Sequence, residues 1–269
     1  MPRRRRDSRF DGIERLYGKG ALAVFSRLHV CVVGLGGVGS WAVEALARSG
    51  VGALTLIDHD TVCASNINRQ LHALDASIGR KKAEVLAERV AGIAPACRCD
   101  IVDDYVTAAN VRDHLSPERG YGYVVDAIDS IKFKAAIIHQ CRRNKIPVVT
   151  TGGAGGLTDP TQVQIKDLSR TYNDPLAARV RAKLRDAHGF PRNPKRYFGV
   201  ECVFSGQHPL YPTPDGGVSH RKPGIHGINL DCRMGYGAAS FVTATFGFVA
   251  VARVLKKTLD RQARAPTNP

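Results

Sequence analysis

The 269 residues suffice for one large α/β domain or two small ones, and a hydrophobic content of 43% is that of an ordinary soluble protein. Lys and Arg number 39 against 24 Asp and Glu, and the formal charge of +15 points to a polyanionic partner such as nucleic acid. The seven cysteines form no C-x-x-C pair, which excludes the usual structural zinc site, and no apolar core follows the charged start Met1 to Arg6, so free cysteines in a reducing cytoplasm are expected.

Arg9 to Gly18 leads into a predicted helix, Ala21 to Leu28. The run Val30-Cys31-Val32-Val33 is short enough for a buried strand and meets Gly34-Leu35-Gly36-Gly37-Val38-Gly39. Trp41 to Arg48 then reads as an amphipathic helix. Glycines in such a turn let backbone N–H groups approach phosphate oxygens, and a helix N-terminus favours the anion. A second apolar run, Ala53 to Ile57, ends in Asp58, about where a carboxylate meets a ribose hydroxyl. The unit therefore binds a nucleotide, either a dinucleotide for hydride transfer or ATP for activation. His59, Asp60 and then Asn66-Ile67-Asn68-Arg69-Gln70 make a polar loop where a doubly wound sheet presents its ligands. Lys81-Lys82 open a helix to about Ala91, and Pro95 closes it.

Val102 to Tyr105 is expected to be extended, and Asn110 to Leu115 helical. Tyr123 to Ser130 reads as a buried strand ending in Asp126 and Asp129, followed by a helix over Lys134 to Asn144 and a strand over Ile146 to Thr150. The cluster Thr151-Gly152-Gly153-Ala154-Gly155-Gly156 is read as a close strand-to-loop packing site rather than a second phosphate loop. Gln162 to Ile165 and Glu201 to Phe204 are predicted strands. Between them, Pro175 to Ala187 is a helix carrying Arg179, Arg181, Lys183 and Arg185, and Pro191 to Arg196 is a basic loop. These charges suit either a solvated face or one turned to RNA. Pro209 to Gly224 is rich in proline and glycine and is expected to be a mobile loop or crossing segment. Segment 234–252 is uncharged and long enough to span a bilayer. Gly235, Gly237, Ser240, Thr243 and Thr245 dilute it, so it is read as a helix buried all round against a sheet. The alternation of strands and helices predicts an α/β, Rossmann-like, doubly wound and largely parallel mixed sheet with helices on both faces.

Asp58, Asp60, Asn66, Arg69, Lys82, Asp126 and Asp129 all fall at the carboxyl ends of predicted strands or just beyond them. A dehydrogenase needs an apolar nicotinamide slot and has no use for so many charges near phosphates. Transfer of an adenylyl group does: Arg69 and Lys82 offset charge on a triphosphate under attack, and Asp129 suits magnesium, which takes hard oxygen ligands. A hydride-transferring oxidoreductase and a non-catalytic RNA-binding scaffold remain the rivals on residues alone.

Gly34-Leu35-Gly36-Gly37-Val38-Gly39, Leu56-Ile57-Asp58-His59-Asp60, Asn66-Ile67-Asn68-Arg69-Gln70, Lys82 and Asp126-Ala127-Ile128-Asp129 together resemble the adenylation domain of the ubiquitin-activating-enzyme superfamily. The resemblance implies an ATP site made of Gly34, Gly36, Gly37, Gly39, Asp58, Asp60, Asn66, Arg69, Gln70, Lys82, Asp126 and Asp129. In it Asp58 would hold the ribose, Asn66, Arg69 and Lys82 the phosphates, and Asp129 magnesium. It also implies a homodimer, and a single domain divided into an arm and helix (1–28), an ATP-binding half (29–156) and a half for substrate, tRNA and dimerisation (157–269).

Arg9-Phe10 with Arg15-Leu16-Tyr17-Gly18, Cys141 to Pro147, Thr150 to Gly156, Asp159-Pro160-Thr161-Gln162, Asp174 to Ala178 and Val242 to Val251 are similar to the branch that dehydrates threonylcarbamoyladenosine in tRNA. That branch implies ATP-driven cyclisation of the modified base next to the anticodon. The alternative is adenylylation of the C-terminal glycine of a ubiquitin-like sulfur carrier, whose activators carry the zinc pairs this chain lacks. Those activators also place at the position of Gly12 an arginine that reaches the neighbouring subunit's ATP, which leaves Arg9 or Arg15 for that task. Cys202 and Cys232 are candidates for a transient thioester, with buried filler the favoured reading of each. A sulfur-transfer partner follows from family association, and a monovalent-cation site in the glycine-rich loops is left open.

Overall fold

The computed structural model describes residues 8–221 and 237–264. Two short helices, α1 (Asp11–Tyr17) and α2 (Ala21–Phe25), lead into β1 (His29–Val33). Helix α3 (Gly39–Arg48) crosses to β2 (Ala53–Ile57), and α4 (Lys82–Ile93) crosses to β3 (Arg98–Val102). The chain then passes through α5 (Val111–His114) to β4 (Tyr123–Asp126), α6 (Ile131–Arg143) and β5 (Val148–Thr151). Next come β6 (Val163–Asp167), α7 (Pro175–His188), β7 (Glu201–Ser205), the small strands β8 (Tyr211–Pro212) and β9 (Val218–Ser219), and α8 (Ser240–Arg264).

Seven strands form one sheet in the order β3-β2-β1-β4-β5-β7-β6, parallel except for β6, which runs antiparallel to β7. From β1 the chain winds outward to β2 and β3, then returns to place β4 on the other side of β1. Strand order therefore reverses between β1 and β4, and a crevice opens at their carboxyl ends, where such sheets take ligands.

Alternation along each strand divides the core into two layers. Val30 and Val32 of β1 join Leu54, Leu56, Leu86 and Phe246 on the side of α3, α4 and α8. Cys31 and Val33 join Val124, Ile137, Val180 and Phe204 on the side of α6 and α7. With helices on both faces, the observed sheet is the mixed, doubly wound one expected from the alternation.

Three local expectations are corrected. The extended stretch near Val102 starts four residues earlier and ends where it was expected to begin. Arg98 and Asp100 interrupt its apolar pattern because β3 is an edge strand, with Cys97 and Cys99 turned toward the core. Within the proline-rich stretch, β8 and β9 pair as an antiparallel hairpin, while 222–224 lie outside the described residues. Helix α8 is not buried all round: Val242, Phe246, Ala250 and Val254 are buried, but Phe241 and Phe248 remain 55% and 45% exposed. Among the described residues no helix is long and apolar enough to cross a membrane.

Candidate active site

The turn after β1 is shaped by two glycines. Gly34 has φ +87°, and a Cβ there would lie 2.8 Å from the Ile128 side chain. A Cβ on Gly39 would lie 1.8 Å from the Gly34 carbonyl oxygen, so the turn folds back on itself as α3 begins. Asp58, just past β2, ties the two loops together. Its Oδ2 accepts the Leu35 N–H at 2.6 Å and its Oδ1 accepts the Asp60 N–H at 2.8 Å. Burial pushes the Asp58 carboxyl above its usual range, against the opposing pull of the Lys82 charge.

Lys82 is the first residue of α4 and is buried, its Nζ 2.7 Å from Asp60 Oδ2. Tyr105 donates its hydroxyl to the other oxygen of Asp60 at 2.9 Å. Burial raises the Asp60 carboxyl, but the hydrogen bond and charge of Lys82, helped by Tyr105, outweigh it and hold the group below the usual range. Tyr105, with its ring tilted 4.8 Å from that of His59, escapes sequence reasoning because it follows an edge strand with no periodic signal.

The polar loop divides its labour. Asn66 is buried, and its Oδ1 accepts the Cys63 N–H at 3.1 Å, so its side chain shapes the loop. Arg69 donates to the Ser65 carbonyl at 2.7 Å and to Asn68 Oδ1 at 2.9 Å. It borders an open cleft of about 500 Å³ with Ser65, Ile67 and Ala238. The Arg69 carbonyl accepts from Trp41 Nε1 at 3.1 Å and from Thr243 Oγ1 at 3.2 Å. Gln70 Oε1 and both ring nitrogens of His72 are buried without a partner among the described residues. Burial, reinforced by the Lys82 charge, pushes His72 down to about 4, so its ring is neutral at pH 7.

Asp126 corrects an expectation. Its carboxylate is fully buried, 2.9 Å from Lys134 Nζ, and it accepts the Thr150 hydroxyl at 2.6 Å. Lys134 also donates to the Asp126 carbonyl at 3.2 Å and to Thr150 Oγ1 at 3.1 Å. The group braces the sheet beneath the crevice, with the carboxylate closed off from it. Asp129, three residues on, is exposed and has no ion pair or hydrogen bond among the described residues. Sequence reasoning misses Lys134, which sits two residues after Lys132 and differs from it only in opening the apolar run Ala135-Ala136-Ile137-Ile138.

Cys202 matches its favoured reading as buried filler: it is fully buried in β7, and burial pushes its thiol far up. Cys232 and the run Arg3 to Arg6 lie outside the described residues. A Cβ on Gly152 would strike Asp174 Oδ2 at 1.7 Å, which explains the second glycine cluster as close packing.

The model of the ThiF family matches residues 12–268. The chain belongs to the ThiF family. This member is 56% identical over 257 residues to the tRNA threonylcarbamoyladenosine dehydratase of Escherichia coli (strain K12), covering 95% of each chain. It is 52% identical to the enzyme of that name from Haemophilus influenzae, covering 96% of this chain and 95% of the other. Its fold matches the crystal structure of the E. coli tRNA N6-threonylcarbamoyladenosine dehydratase in complex with ATP with a TM-score of 0.85. That match has 52% identity and covers 96% of this chain and 97% of that one.

Proposed function

We propose that this ThiF-family protein uses ATP to dehydrate threonylcarbamoyladenosine in tRNA, closing it into a ring beside the anticodon. The observation that carries the reading is the 56% identity spread over 95% of both chains, not confined to the glycine turn. The supporting geometry is the convergence of that turn, Asp58, Lys82 and the Arg69 loop on one crevice.

The substrate carboxylate is a poor electrophile because its charge is delocalised. One of its oxygens attacks the α-phosphorus of ATP and the bond to pyrophosphate breaks, leaving an acyl-adenylate. Asp58 holds the ribose, using the lone pairs its two backbone contacts leave free. The N–H groups at the start of α3 receive the phosphates. Lys82, kept extended by Asp60, and Arg69 offset the charge that builds on the departing pyrophosphate. The carbamoyl nitrogen, tethered a few bonds away, then attacks the activated carbonyl. It gives up its proton, and AMP leaves with the carboxylate oxygen. Intramolecular attack has a high effective molarity, so ring closure needs little further help.

Among the described residues no three His, Cys, Asp or Glu side chains cluster to hold a metal. A lone exposed carboxylate such as Asp129 fits magnesium, which keeps its waters and takes its other ligands from phosphates. Bound there, the ion supplies charge neutralisation at the triphosphate. The protein works as a homodimer in the tRNA-containing cytoplasm. In support, Phe248 stays exposed beside Trp41, its ring 5.8 Å away, as an apolar surface open to a second copy. A sulfur-transfer partner rests on kinship alone.

The test is to incubate the protein with ATP, magnesium and tRNA carrying threonylcarbamoyladenosine, then digest the RNA and weigh its nucleosides. Loss of one water, dependent on ATP, is expected. An unchanged mass with ATP still bound would overturn the reading in favour of a ubiquitin-like protein C-terminus as substrate.

A further inference from the structure

The open edge of the sheet carries cations seated on exposed tyrosines. Lys166 of β6 places its Nζ 4.7 Å from the centre of the Tyr172 ring, and Arg170 places its guanidinium 4.7 Å from that of Tyr197. These rings are 43% and 64% exposed, where an aromatic side chain ordinarily seeks cover. Phe204 braces Tyr172 edge-on at 5.2 Å, and Arg170 donates to the Lys195 carbonyl at 3.4 Å, which ties the Arg170–Tyr197 pair to the loop of exposed residues Lys195 and Arg196. Among the described residues none of the four cations has an acidic partner. Asp167, in their midst, is spent on the N–H groups of Ser169, Phe198, Gly199 and Val200.

The row also leads toward the crevice. Asp167 pairs with Glu201 at the start of β7, while Asn173 donates to the carbonyl of Gly206, just past the strand's end, at 2.7 Å. After β6 reaches the amino end of β7 at Asp167, segment 168–173 turns back to its carboxyl end, the end of the sheet that holds the nucleotide site.

We propose that this edge binds RNA, with phosphates on Lys166, Arg170, Lys195 and Arg196 and an unstacked base against the free face of Tyr197. An acidic protein would use the cations but has no call on exposed rings beneath them, whereas nucleic acid uses both. The proposal rests on the tRNA reading above and adds to it where the anticodon arm lies.

The experiment measures binding of threonylcarbamoyladenosine-bearing tRNA to the full chain across a salt series, alongside ATP binding. In the triple variant Arg170→Ala, Lys195→Ala, Arg196→Ala, each lost phosphate contact should flatten the logarithmic salt slope by roughly 0.7–0.9. Tyr197→Ala should weaken binding by about tenfold, and Tyr197→Phe should restore it. ATP binding should stay at the wild-type level throughout. If the triple variant loses its fold, Lys195→Glu with Arg196→Glu, confined to the exposed loop, carries the same expectation. Wild-type slope and affinity in these variants would overturn the assignment of this edge and leave the tRNA reading standing. A wild-type protein that neither binds nor dehydrates the tRNA would overturn both.

Discussion

Replacing Lys134 with methionine should destabilise the fold by about 3–5 kcal/mol, because it strips the partner from a carboxylate that water cannot reach. Asp126 is 0% exposed and Lys134 is 1% exposed. The ammonium sits 2.9 Å from Oδ2 and also satisfies the Asp126 carbonyl and the Thr150 hydroxyl. Methionine fills much of the same space, so the loss is electrostatic and not a cavity effect. Adding Asp126→Asn removes the stranded charge, and the double variant should be more stable than Lys134→Met alone. Urea unfolding followed by circular dichroism reads the difference, with an unchanged slope showing that the same surface is exposed. Strand β4 ends at Asp126 and the chain continues directly to Asp129, so ATP binding should weaken in the single variant and recover in the double. A loss below about 1 kcal/mol for Lys134→Met, the size of an ordinary surface change, would refute this account of the pair.

Lys82→Ala should lower ATP turnover with modified tRNA by about 10²–10³, the usual effect of removing one transition-state charge donor, with unfolding little changed because Asp60 is half exposed. Gly39→Ala should abolish ATP binding by calorimetry, since its methyl meets the Gly34 carbonyl at 1.8 Å and the turn must open. His72 titrates at about 4 in the folded chain and near 6.5 when unfolded, so the unfolded chain takes the proton first as pH falls. Stability contributed by the neutral ring is complete above pH 6.5 and falls by about 3 kcal/mol toward pH 4. His72→Phe should flatten that limb of a urea-midpoint profile, and an unchanged slope would remove His72 as its source.

What the sequence disclosed follows from what is local. The β1 strand, the glycine turn, α3 and β2 stand almost where the apolar runs and glycine spacing put them, because each signal lies within a few consecutive residues. Strand β3 was misplaced because an edge strand exposes Arg98 and Asp100, which break the apolar run that marks a buried strand. Asp126 looked like a ligand because a sequence displays a carboxylate at a strand end but not its partner. Lys134 meets it only after α6 crosses back over the sheet. Tyr172, Arg170 and Tyr197 were likewise unremarked, since residues up to 27 positions apart form one surface only when β6 and the loop before β7 come together.

That same long-range folding ties the late helix to the early turn. The Thr243 hydroxyl donates to the Arg69 carbonyl, and its methyl carbon would lie 3.1 Å from a Cβ on Gly37. One turn further on, a Cβ on Gly247 would come within 2.7 Å of the Val38 carbonyl oxygen and 2.9 Å of the Ala42 nitrogen. A single buried stripe of α8 therefore touches both the glycine turn and the loop that carries Arg69. Trp41, from the first turn of α3, closes the triangle by donating to the same Arg69 carbonyl. Packed interiors transmit strain, so these pieces cannot move independently. Displacing α8 would shift the glycine turn and the Arg69 loop together, so their placement is set by small residues more than 170 positions later in the chain.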